Sequence, residues 1–136
     1  MHLIAVIFAV LVMAPYAAAS RHRWLRMLAM CVASVLIYRL AVALVVDGPF
    51  GYDSIISYLL SGAGAAMLIG ISVVVLVPRR LPWLLPVYCL FAGAIGGAAF
   101  EDSMWPGSGY AELGGHLIWQ VLVCLALHLG LRPASR

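Results

Sequence analysis

The chain has 136 residues, 65% of them hydrophobic and 10% charged, with a formal net charge of +3 and a mean hydropathy of +1.09. Soluble domains carry about 25% charged residues, and a water-surrounded core of this size does not absorb so much apolar side chain. Composition therefore excludes an ordinary soluble enzyme or a nucleic-acid-binding module and predicts an all-α, polytopic membrane protein whose first partner is the lipid bilayer. The basic residues are all arginine, and Lys, Asn and Thr are absent, a bias expected of a GC-rich bacterial genome.

Five apolar runs are marked off by charge and by Pro or Gly, at roughly 2–19, 25–46, 54–77, 82–99 and 111–131. Each approaches the ~20 residues that cross a bilayer as a helix, which predicts one integral domain of five spans. The connections alternate in sign. Arg21, Arg23 and Arg26 follow the first run, Arg79 and Arg80 the third, and Arg132 and Arg136 the fifth. Asp47 and Asp53 follow the second run, and Glu101, Asp102 and Glu112 gather around the start of the fifth. Arginine is retained on the cytoplasmic side, so the expected orientation in the inner membrane has the N-terminus outside, the C-terminus inside and the acidic cluster on the outer face. Ala17-Ala18-Ala19-Ser20 resembles a signal-peptide cleavage site. A signal peptide places its positive charge before the apolar core rather than after it, so the expectation is an uncleaved first helix.

The third run carries Gly62, Ala66 and Gly70, and the fourth carries Gly93 and Gly97 as G-x-x-x-G. Small residues at every fourth position let helix backbones approach closely, which is how helices associate where lipid offers no hydrophobic drive. These faces would serve packing within the chain or against another copy or subunit. Cys31, Cys89 and Cys124 lie in apolar runs without C-x-x-C spacing, as expected of buried free thiols.

Arg39 is the one charge in the interior of a predicted span, Arg26 and Glu112 standing at the very start of theirs. A guanidinium at the centre of a span costs roughly 2.5–3.5 kcal/mol on insertion scales unless it is paired or reaches the interface. The outer acids Asp47, Glu101, Asp102 and Glu112 are the expected partners of a structural ion pair, with an anion-binding or gating role as the alternative. The residues most suggestive of chemistry lie on the last run, where Glu112, His116, Gln120, Cys124 and His128 recur every fourth residue and form one polar stripe on a helix. Such a ladder suits a proton or cation path. Glu112 and His116, one turn apart, would reach one metal ion together. A haem held by histidines of two helices is a further cofactor reading, with His2 at the level of His116 and His22 near His128.

The segment Glu101-Asp102-Ser103-Met104-Trp105-Pro106-Gly107-Ser108, followed by Gly115-His116-Leu117-Ile118-Trp119-Gln120, resembles the closing segment of alkaline ceramidases and their relatives, which include the progestin and adiponectin receptor family. That resemblance implies a zinc-dependent membrane hydrolase with His116 as the first residue of an H-x-x-x-H pair. Gln120 stands at the second position, the earlier runs place no His inside the membrane, and those proteins have seven spans. The leading expectation is instead a small non-enzymatic membrane protein: a subunit, an assembly partner or an oligomeric scaffold. A transport, pore or holin-like protein using the polar stripe is the first alternative, and a metal-dependent hydrolase centred on His116 the second.

Overall fold

The computed structural model describes residues 2–17, 22–51, 54–77, 83–100 and 111–130. These form five helices: α1 (His2–Ala17), α2 (Arg23–Val46), α3 (Ile55–Leu76), α4 (Leu85–Ala98) and α5 (Ala111–Gly130), with no strand among the described residues. The fold class is therefore all-α. Two of the helices, α2 and α3, are long and apolar enough to cross a membrane.

Several boundaries differ from the apolar runs for local reasons. Helix α2 starts at Arg23 rather than 25, and the Arg23 guanidinium lies 5.3 Å from the centre of the Trp24 ring, a cation–π contact that favours an ordered first turn. Ser54 and Val77 are caps of α3 with extended backbones, not helical residues. Helix α4 is the largest departure, since it covers 85–98 instead of 82–99. Pro86 is its second residue. Proline lacks the N–H that a helix interior needs and is tolerated only in the first turn, so α4 cannot begin much earlier. Its 14 residues rise only about 21 Å, short of the ~30 Å hydrocarbon layer.

The α2–α3 connection closes tightly. The Asp47 N–H donates to the Ala43 carbonyl at 2.8 Å, and the Ser57 hydroxyl donates to the Gly51 carbonyl at 2.8 Å. Gly51 has φ of 79°, a conformation that costs an L-residue with a Cβ roughly 1–2 kcal/mol.

Each helix packs against its neighbour in the chain, most extensively α3 against α4. Gly62 faces Gly93 and Gly97, while Gly70 faces Pro86 and Cys89, so these two helices are antiparallel. Gly96 lies under Trp119 and Gly115 under Phe100, which makes α4 and α5 antiparallel as well. The Ser34 hydroxyl donates to the Ala5 carbonyl at 3.0 Å and ties α2 to α1. Phe8 meets Trp119 at 5.8 Å between ring centroids and brings α1 to α5. One core results, with Phe8 and Val12 from α1, Met30 from α2, Ile69 and Val73 from α3, Leu85 and Cys89 from α4, and Val123 and Leu127 from α5. The outside is just as apolar: Leu11, Leu28, Val75, Phe91, Ile95 and Val121 are each more than 60% exposed. A water-soluble monomer rarely presents so continuous an apolar surface.

Candidate functional site

Toward the end of the bundle that carries the α2–α3 connection, the helices part around a cavity of about 440 Å³ to which all five contribute. The gap lies between α2 and the α3–α4–α5 group. The three-way contact of α3, α4 and α5 depends on glycine: a Cβ on Gly62 would strike the Gly93 carbonyl and lie 2.8 Å from the Gly97 Cα. Helix α2 has no glycine of its own. Ile37, Val42 and Val45 form its wall, facing Ala65 and Ile69 of α3.

Rings gather over this space. His116 lies 5.7 Å from Tyr38 and 4.8 Å from Phe100 between ring centroids, edge-on to the latter at 90°. Tyr58 stacks on Phe100 at 6.4 Å with the planes 4° apart. Two buried serines add oxygen atoms. The Ser61 hydroxyl donates to the Ala41 carbonyl at 2.8 Å, and Ser34 donates to Ala5; the two residues are 6% and 3% exposed. The indole N–H of Trp119 donates to the Gly62 carbonyl at 3.2 Å. Among the described residues, none that lines the cavity is Asp, Glu, Lys or Arg.

No family model, curated protein or solved structure matches this chain.

The polar stripe of α5 divides. His116 lines the cavity, Gln120 and Cys124 are half-buried with Cys124 packed against the apolar core, and His128 is exposed. A step of four residues advances about 400° at ~100° per residue, so the stripe turns by about 40° at each member. From His116 to His128 the drift is about 120°, enough to carry the stripe from the cavity to the outside of the bundle. The described stripe residues therefore do not line one continuous space. Below the cavity, Met30, Val73 and Val123 are fully buried and fill the interior.

Arg39 lies on the flank of α2, exposed, and makes no ion pair among the described residues. Asp47, at the end of the same helix, is exposed. Asp53, Glu101 and Asp102 lie outside the described residues, and Glu112 is placed only by its backbone, in the first turn of α5. For a metal, the described donors fall short. No three His, Cys, Asp or Glu side chains converge among the described residues, whereas a catalytic zinc takes three protein ligands. His116 is enclosed by Tyr38 and Phe100, and Gln120 stands where the ceramidase-like pattern would place a second His. The described residues alone do not complete a zinc centre, and Glu101 and Asp102 lie outside them. For a haem, His116 faces the aromatic cluster while His22 and His128 are exposed, and the side chain of His2 lies outside the described residues.

Sequence reasoning passed over Ser34, Tyr38, Tyr58, Ser61, Phe100 and Trp119. Two of the faces carry a visible signal in hindsight: Ser34, Tyr38 and Ala41 recur at helical spacing on α2, and Ser57, Ser61 and Ala65 do so on α3.

Proposed function

We propose that the chain is a bacterial inner-membrane protein of five spans, N-terminus outside and C-terminus cytoplasmic, that acts without catalysis as a subunit or assembly partner of another membrane protein. The alternation of arginine and acid along the connections supports the orientation. The leucine, valine and phenylalanine side chains exposed around the bundle support a lipid surround, since apolar side chains face hydrocarbon at no cost.

The observation that carries the assembly reading is Arg39. Helix α2 is the most open of the long helices, with Met30 and Ser34 as its buried residues. Its 24 residues rise about 36 Å, and Arg39 lies about 12 Å of helix from Asp47. Helical side chains tilt toward the N-terminus, so Arg39 leans toward the middle of the span rather than toward the nearer interface. Arg39 has no acidic partner among the described residues, and a guanidinium left unpaired there is costly. An acidic side chain at the same depth on a partner helix removes that cost. The small-residue faces of α3 and α4 are occupied by each other, which directs the partner to α2 and to a different subunit rather than a second copy.

Affinity purification from native membranes in mild detergent, followed by native mass spectrometry, tests this reading. Wild type should carry a second membrane protein with an intramembrane Asp or Glu, and Arg39→Leu should lose it while the chain remains folded. Wild type recovered as a bare monomer would overturn the proposal.

A further inference from the structure

We propose that the five-helix cavity is a binding site for a neutral amphiphile whose head carries a hydroxyl group, such as a phenol or alcohol on an apolar body. The inference rests on the membrane reading above but not on the assembly role. Its volume of about 440 Å³ falls within the roughly 300–1,000 Å³ typical of sites for small organic molecules.

Three features define the ligand. The walls contributed by Ile37, Val45 and Ile69 are aliphatic, and the lining holds no Asp, Glu, Lys or Arg among the described residues. A charged head would lose its hydration there without a counter-charge, which is prohibitive, so the ligand is neutral. Tyr58 and Phe100 lie with parallel planes, and His116 stands edge-on to Phe100. Such surfaces favour a flat ring, through offset or edge-to-face contact.

The third feature is the sense of the hydrogen bonding. Ser34 and Ser61 line the cavity, are more than nine-tenths buried, and each gives its single proton to a backbone carbonyl, of Ala5 and Ala41 respectively. A serine hydroxyl has one donor and two acceptor sites. With the protons committed, these two oxygens are left as acceptors, and a ligand that bonds to them supplies the donor. A hydroxyl does so; an ether or a simple ketone does not.

The test uses the full chain in nanodiscs and two probes of equal tail, 4-octylphenol and its methyl ether 4-octylanisole. Both are titrated calorimetrically against empty nanodiscs, with native mass spectrometry for stoichiometry. One 4-octylphenol per chain is expected, bound about fivefold tighter than the ether, the difference of one neutral hydrogen bond. Ser61→Ala or Ser34→Ala should abolish that preference while the ether binds as before. Ala41→Phe, which fills the cavity from the α2 side, should abolish binding of both probes with the melting temperature retained. Equal affinity for phenol and ether in wild type, a preference that survives both serine variants, or unchanged binding in Ala41→Phe would each overturn the proposal. So would the absence of saturable binding above empty nanodiscs. A chain that fails to enter nanodiscs would instead sink the membrane reading on which the site depends.

Discussion

The indole of Trp119 hydrogen-bonds to the carbonyl of Gly62 at 3.2 Å, at the level where Gly62 meets Gly93 and Gly97. One side chain of α5 thus spans to α3 over the place where α4 lies closest. The same ring meets Phe8 of α1 at 5.8 Å. Trp119→Phe keeps the ring contact and loses the bond, so it should destabilise the bundle by about 0.5–1.5 kcal/mol. Trp119→Ala also opens a void and should cost about 3–5 kcal/mol. Unfolding by SDS titration from mixed micelles reads both. Equal effects would mean that the hydrogen bond rather than the packing dominates.

Gly62 and Gly64 make a controlled pair on one helix. A Cβ at Gly62 would collide with backbone atoms of α4, whereas a Cβ at Gly64 meets nothing within 4 Å. Backbone cannot swing aside as a side-chain tip can. Gly62→Ala should therefore cost about 1–3 kcal/mol or prevent folding. Gly64→Ala should be neutral, or stabilising by up to about 1 kcal/mol from helix propensity. Comparable melting temperatures for the two variants would contradict the close α3–α4 approach.

Gly51 and Ser57 should behave as a coupled pair. Gly51→Ala places a side chain on a residue with φ of 79°, at a cost of roughly 1–2 kcal/mol. Ser57→Ala removes the hydroxyl that holds the Gly51 carbonyl, worth about 0.5–1.5 kcal/mol. If Gly51→Ala shifts the turn and with it the carbonyl, the double variant should be less damaging than the two single effects added. Full additivity in a double-mutant cycle would show that the turn keeps its path without glycine.

The elements that depend on local sequence were legible. The apolar runs place α1 to α5, and the spacing of Gly62, Ala66 and Gly70 against Gly93 and Gly97 marks the small-residue faces that the structure sets against each other. Helix α4 starts later than its apolar run because hydrophobicity continues through Pro86, whose missing N–H is tolerated only in a first turn. The stripe from His116 to His128 was legible as spacing but not as a site, because a four-residue step drifts around the helix. The cavity was not legible at all. Tyr38, Ser61 and His116 come from three helices and Phe100 from the turn after α4, and periodicity within each helix says nothing about which rings converge across them.

The three cysteines should separate by reactivity. Cys89 is fully buried, while Cys31 and Cys124 are half-buried, and all three are free thiols. Thiolate chemistry needs access. A membrane-permeant maleimide should label Cys31 ahead of the other two in the folded protein, with Cys89 reacting only after denaturation. Mass spectrometry of the peptides reads the order, and early labelling of Cys89 would contradict the packing of α4 against the core.

The orientation has its own test. Arg23 opens α2 and Asp47 closes it, and both are exposed. In a background with the three native cysteines replaced by Ala, Arg23→Cys and Asp47→Cys place one thiol at each end of a helix long enough to cross a bilayer. With the arginine end held in the cytoplasm, an impermeant maleimide added to intact spheroplasts should label Asp47→Cys and spare Arg23→Cys until the membrane is opened. The reverse pattern would invert the orientation and put the cavity on the cytoplasmic side. Labelling at both positions in intact cells would remove α2 as a transmembrane helix, and with it the argument that Arg39 needs an acidic partner.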